Sequence, residues 1–218
     1  MRKAILFSIV AVVSLLWASQ TWAKPVQYSG TGHWYEAFVF TDADPTPNWD
    51  QAKANAEKMG GYLATITSEG ENDFIYNLID EDKFWFHSGE PGDHYTQGPW
   101  IGGYQETSAT SLTEGWKWVN GDPWSFTNWA DGEPNDWRSG EWPPVENGDQ
   151  NYLHFFNNQY YPPSPKWAKT WEDIAIDNWG RTRGYVVEWD TEPVPEVTAP
   201  TYFPVKGKKG KISIIPLE

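Results

Sequence analysis

Along the first third of the chain the apolar positions recur at helical spacing. Ala52, Ala56 and Met59 stand at i, i+4 and i+7 behind Asn48 and Trp49, which predicts a helix opened by asparagine and stopped by Gly60 and Gly61. Ser68, with Glu71 three residues on, reads as a capping box for a second helix whose buried face is Phe74, Ile75, Leu78 and Ile79. Between them, residues 62–66 read as a short strand. Residues 26–40, aromatic and broken by Gly30 and Gly32, read as one or two strands around a turn. Beyond Ile79 the helical period disappears. Short aromatic or β-branched runs follow at residues 100–103, 116–119, 152–155 and 184–189, separated by Gly, Pro, Asn and Asp. The intervals between these runs are long, and long connections in a compact domain are usually functional or disordered. The pattern is α+β, two helices followed by a loop-rich β half.

The ends of the chain differ from its middle. Arg2 and Lys3, the apolar residues 4–17, and the small Thr21 and Ala23 read as an export signal over residues 1–23. That apolar run is shorter than the ~18–20 residues needed to span a bilayer. The expectation is therefore an exported protein, secreted, periplasmic or at the cell surface, and not membrane-embedded. Residues 24–190 form the expected domain. Residues 191–218 read as a linker with Pro193, Pro195 and Pro200, then a tail carrying Lys206, Lys208, Lys209 and Lys211.

Composition narrows the chemistry. The formal net charge of −14 over 218 residues repels phosphate backbones, so nucleic acid is not an expected partner. The absence of cysteine excludes disulfides, thiolate metal sites and cysteine nucleophiles. An exported domain without disulfides must hold itself together by core burial and by any metal it binds, and sixteen tryptophans are available for the former. His33, His87, His94 and His154 are scattered, with no His-Glu-x-x-His and no Gly-x-Ser-x-Gly, so each reads as a surface or packing residue and the chain as non-catalytic.

Between Trp129 and Asp177 the chain places Asp131, Glu133, Asn135, Asp136, Glu141, Glu146, Asp149, Gln150, Glu172, Asp173 and Asp177 in loop-like sequence. Carboxylates and amides are hard oxygen donors that suit Ca²⁺, although an acidic protein has acidic loops in any case. Glu133-Pro134-Asn135 is more specific. Two oxygen donors flank a proline, and a cis bond before Pro134 would turn both side chains into one site.

The order of motifs over residues 26–190 resembles the C-type lectin-like domain. The resemblance rests on the first helix with Gly60-Gly61-Tyr62-Leu63-Ala64, Trp100-Ile101-Gly102, Trp116-Lys117-Trp118-Val119-Asn120-Gly121 and Asn128-Trp129. It continues through Gly132-Glu133-Pro134-Asn135, Asp149-Gln150-Asn151-Tyr152, Trp171-Glu172-Asp173 and Gly184-Tyr185-Val186-Val187-Glu188-Trp189. It implies two helices, small antiparallel sheets and a long loop region, without the family's usual cysteines; Tyr152 stands at one such position. It also implies a Ca²⁺ site at Glu133, Asn135, Gln150, Glu172 and Asp173, in which vicinal sugar hydroxyls join the metal shell. Gln150 stands where the family has Glu, and Glu172 where it has Asn, an exchange that keeps three carboxylates in Glu133, Glu172 and Asp173. Glu133, Asn135, Gln150 and Glu172 would then face the sugar hydroxyls. The Glu-Pro-Asn loop goes with mannose, glucose or fucose-type diols in the family. Trp137 and Trp142, in the insert 137–148, are candidate stacking residues against a sugar face, while Trp100, Trp116, Trp118, Trp171 and Trp189 read as core. The rival expectation is calcium-independent recognition of a surface protein by the same fold.

Overall fold

The structure, a computed structural model, describes residues 24–44, 47–88, 95–136, 150–157, 168–176 and 180–194, with the backbone of two further strands at 203–206 and 212–215. Both expected helices form. α1 (Trp49–Lys58) is opened by Asn48, whose Oδ1 accepts from the Gln51 amide at 2.8 Å, and it buries Trp49, Ala52 and Ala56. α2 (Glu69–Leu78) is opened by Ser68, whose Oγ accepts from the Glu71 amide at 3.2 Å. The Glu71 carboxylate departs from the capping-box geometry. It accepts from the amide and hydroxyl of Thr67 at 2.6 and 2.8 Å, and its other oxygen accepts from the buried Tyr35 hydroxyl at 2.6 Å. Ile75 and Ile79 are fully buried, with Phe74 and Leu78 packed beside them.

Nine strands share one sheet: β1 (Val26–Gln27), β2 (Trp34–Val39), β3 (Tyr62–Leu63), β4 (Phe86–His87), β5 (Thr96–Gln105), β6 (Trp116–Trp118), β7 (Tyr152–Asn157), β8 (Thr170–Ile174) and β9 (Gly184–Trp189). The order is β1-β2-β9-β5-β7-β8, with β3 added on β9 and β4 and β6 on β5. Pairings are antiparallel except that β5 and β9 run parallel at Trp100 and Tyr185. Two elements differ from the sequence expectation. Trp171, Glu172 and Asp173 lie in strand β8, because β7 offers them a full register from Tyr152 opposite Ile174 to Phe156 opposite Thr170. The lysine-bearing tail contains the antiparallel pair β10 (Phe203–Lys206) and β11 (Ile212–Ile215). Among the described residues no helix is long and apolar enough to cross a membrane.

Tryptophan does much of the tying that cystine does elsewhere. Trp100, Trp116, Trp118, Trp171 and Trp189 are all buried, as expected of core residues. Several indole N–H groups also join distant elements: Trp49 to the Ile101 carbonyl (2.9 Å), Trp189 to the Met59 carbonyl (2.9 Å), and Trp171 to Asn72 Oδ1 (2.8 Å). Each such residue combines a large apolar body with a placed donor. Truncating one would cost about 3–5 kcal/mol by loss of packing. The core therefore fixes α1 against β5 and α2 against β8, and β8 carries two of the candidate ligands.

Candidate functional site

The oxygen donors of loop and strand are brought together by main-chain pairing. Residues 128–130 run parallel to β8: the Trp171 amide donates to the Asn128 carbonyl at 2.9 Å, and the Ala130 amide to the Trp171 carbonyl at 2.8 Å. Gly132 then takes φ 90°, a conformation glycine adopts freely, and the Glu133 amide closes the turn on the Ala130 carbonyl at 3.0 Å. The strand side is held from below by Asn72 of α2. Its Oδ1 accepts from the Trp171 indole, and its Nδ2 donates to the Lys169 carbonyl at 3.0 Å.

The Glu133–Pro134 peptide is cis. Beyond it, the amides of Asn135 and Asp136 donate to Oδ1 and Oδ2 of Asp173, each at 2.8 Å. Asn135 Nδ2 donates to Glu133 Oε1, also at 2.8 Å. Asp136 sits at φ 46°, a left-handed conformation aspartate tolerates better than most side chains, and its Oδ1 accepts from the Gln150 amide at 3.1 Å. That bond clasps the loop to the chain entering β7. Glu133, Asn135, Asp173 and the start of β7 at Gln150 thus form one assembly. Glu172, next to Asp173, directs Oε1 at His154 Nε2 (2.8 Å), with Gln97 Nε2 at 3.4 Å. Trp137 and Trp142 lie outside the described residues, as do Glu141, Glu146, Asp149 and Asp177. Sequence reasoning named Asp136 only as one acid among many, and gave His154, Gln97 and Asn72 no part in the site.

The electrostatics are those of carboxyl groups crowded together in a buried place. Burial, then the charges of Glu172 and Asp173, push the Glu133 carboxyl up to about 10. Burial, then Asp173, holds Glu172 well above the carboxylate range, and burial raises Asp173 despite its backbone donors. His154 is fully buried, which pulls its imidazole down to about 3. Its Nδ1 faces the Gly98 carbonyl at 3.3 Å, an acceptor only, so Nδ1 carries hydrogen. One proton therefore lies between Nε2 and Glu172, and the pair is neutral whichever atom holds it. Burial acts in the same sense on both groups, raising Glu172 and lowering His154, and so opposes charge separation across the pair.

Among the described residues no group of three or more His, Asp or Glu side chains stands as a ready-made metal cluster. Asp173 is turned onto two amides and Glu172 onto His154. Glu133 Oε2, however, is buried without any hydrogen-bond partner. Once ionised, a carboxyl oxygen without a donor among other carboxyls and carboxamides fits a hard cation such as Ca²⁺ and not a thiolate- or imidazole-seeking metal. In such a site Glu133, Asn135 and Asp173 would be the ligands nearest to hand, with Gln150 and the second oxygen of Glu172 completing the set.

Residues 46–142 match the family model of the lectin C-type domain, a span running from the approach to α1 through the Glu133–Asn135 loop. Halomucin of Haloquadratum walsbyi is 30% identical over 72% of this chain, which covers 1% of that protein. A perlucin-like protein of Mytilus galloprovincialis is 32% identical over 41% of the chain and 49% of its own length. The chain thus spans half or less of these curated relatives. A calcium-independent type II antifreeze protein of known structure is similar at 18% identity and a TM-score of 0.49, covering 77% of this chain and 92% of that one. The ordered motifs, the two capped helices and the matching family model together give residues 46–142 the character of a lectin C-type domain, and the fold is that of the C-type lectin-like domain.

Proposed function

We propose that the domain is an exported, non-catalytic lectin that binds glycans through Ca²⁺ held by Glu133, Asn135, Gln150, Glu172 and Asp173. The observation that carries this reading is the buried, unpartnered Oε2 of Glu133 beside two further buried carboxylates. A divalent cation supplies the charge that this cluster lacks, and offers open coordination positions to a pair of vicinal hydroxyls. Around it the chain's own groups would orient the sugar. Glu133 and Asn135 present one acceptor and one donor, and Gln150 with Glu172 the same pair exchanged. Mannose, glucose or fucose-type diols are the proposed ligands, residues 24–190 the recognition unit, and residues 1–23 the export signal.

A second reading has its own observation. Both oxygens of Asp173 and one of Glu172 are satisfied within the chain, an arrangement compatible with a metal-free domain that recognises a surface protein. Calorimetric titration of Ca²⁺ into chelator-treated protein, with melting curves in parallel, separates the two. The lectin reading expects a saturable site that raises the melting temperature, worth about 2.7 kcal/mol at a hundredfold excess over Kd. That site should be lost in the Glu133→Ala, Asn135→Ala double variant and weakened in Glu172→Gln. No heat and no shift would leave protein recognition as the function.

A further inference from the structure

Next to the candidate site, β5 departs from regular pairing. Gln97 stands opposite Phe156 and Trp100 opposite His154, so that two residues of β5, Gly98 and Pro99, face the single Phe155 of β7. That is a β-bulge, a device that re-aims side chains beside functional sites. The residues in it suit the task. Proline brings no amide to the ladder, and a Cβ at position 98 would lie 2.8 Å from both Phe155 Cβ and the Trp85 ring, a clash that glycine avoids. From the bulge, bonds converge on one carboxyl oxygen. The Gly98 carbonyl meets His154 Nδ1 at 3.3 Å, His154 Nε2 meets Oε1 of Glu172 at 2.8 Å, and Gln97 Nε2 donates to the same Oε1 at 3.4 Å. His154 and Gln97 are buried, and His154 stands directly opposite Glu172 in the register of β7 with β8.

Two features distinguish this arrangement from packing. Gln97 gives its amide hydrogen to Glu172 while its own Oε1 is buried without a partner, a cost that packing alone does not require. Both contacts also fall on Oε1 of Glu172, whereas none of the described residues donates to its Oε2. A carboxylate fixed through one oxygen offers the other in a defined direction, and removing the partner that fixes a metal-ligating group typically costs about 10–100-fold in metal affinity. Asp173 is held in another way, by the amides of Asn135 and Asp136. We propose that His154 and Gln97, seated by the bulge at Gly98 and Pro99, are positioning residues of the candidate site, holding Oε1 of Glu172 so that Oε2 alone is left to a cation. This assignment rests on the calcium reading above.

The test titrates Ca²⁺ calorimetrically into the chelator-treated full chain, as wild type and as His154→Phe, His154→Gln, Gln97→Leu and Glu172→Gln, with His154→Phe also placed in the Glu172→Gln background. His154→Phe keeps a ring in the strand and removes the bond, and should weaken calcium binding about tenfold or more. His154→Gln restores a donor and should recover part of that loss. Gln97→Leu removes the longer contact and should weaken binding less, about two- to fivefold. In the Glu172→Gln background His154→Phe should add no further loss, because its effect passes through Glu172. A metal-free measurement accompanies the titrations: in chelator, the urea midpoints of His154→Phe, Glu172→Gln and the double variant should combine non-additively. If His154→Phe does not fold, Gln97→Leu decides. Calcium affinity unchanged in every folded variant of His154 and Gln97, or a loss in His154→Phe that is equal with and without the Glu172 carboxylate, overturns the proposal and leaves the calcium reading standing. No calcium heat in the wild-type chain removes the calcium reading and this proposal with it.

Discussion

Two groups of buried carboxylates in this molecule are treated in opposite ways. In the first, Glu188 of β9 is wholly buried yet surrounded by donors. It accepts from the Thr65 amide (2.7 Å), the Thr65 hydroxyl (2.8 Å) and the Tyr62 hydroxyl (3.1 Å), and meets His33 Nδ1 at 2.6 Å. Glu71 is similarly enclosed by Thr67 and Tyr35. In the second region, Glu133, Glu172 and Asp173 face one another, and one oxygen of Glu133 has no donor at all. The first arrangement is what stability alone requires, since a buried acceptor must be bonded. The second is costly to the bare fold, and a cost retained in a compact domain points to a ligand that removes it.

Removing one carboxylate from each region puts the contrast at risk. The largest effect is expected from Glu188→Ala, which leaves the Thr65 amide, the Thr65 hydroxyl and the His33 ring without their acceptor, Tyr62 keeping Asp190, and should lower stability by about 3–5 kcal/mol in urea unfolding. A loss below about 1 kcal/mol would show that this network is no better engaged than the site. Glu133→Gln should do the opposite in chelator, raising stability by about 1–2 kcal/mol at pH 8, because an amide takes the place of a group costly to ionise there. The sign follows from a folded pKa raised to about 10. The stability tied to protonated Glu133 is full below the unfolded value near 4.5 and is lost as pH rises towards 10, so the variant's advantage should grow from pH 5 to pH 8. A Glu133→Gln protein destabilised like Glu188→Ala would erase the distinction between the regions. The smallest effect sharpens it at a place belonging to neither. Burial alone pushes Glu36 of β2 up to about 7, so Glu36→Gln should be neutral at pH 4 and stabilise by about 1 kcal/mol at pH 8, read from the melting temperature at each pH.

What the sequence disclosed follows the range of the interactions concerned. Asn48 and Ser68 announce their helices because a cap and an apolar stripe act within a few residues, and both form as expected. Even there, Glu71 bonds Thr67 and Tyr35 in place of the Ser68 amide, since a residue 36 positions away supplies the better donor. Glu133 and Asn135 were legible as a pair flanking proline. Strand β8 was not, because Trp-Glu-Asp carries no alternation and owes its conformation to β7. His154 read as a packing residue. It is buried, but its bond to Glu172 joins strands whose pairing no local pattern reveals. Asp136 and Asn72 act on partners 14 and 99 positions distant, and nothing in their immediate surroundings marks them.

The bond from the Gln150 amide to Asp136 has a consequence for how such a protein diversifies. It fixes the departure and return points of the intervening stretch 137–149 independently of what that stretch contains. Once the two ends are pinned, doubling the length of the excursion adds only about 0.6 kcal/mol of closure entropy. Length and composition there are therefore free to drift, or to be exchanged in the laboratory, while Glu133, Glu172 and Asp173 keep their places. The clasp separates the inheritance of the site from that of the sequence between its two ends.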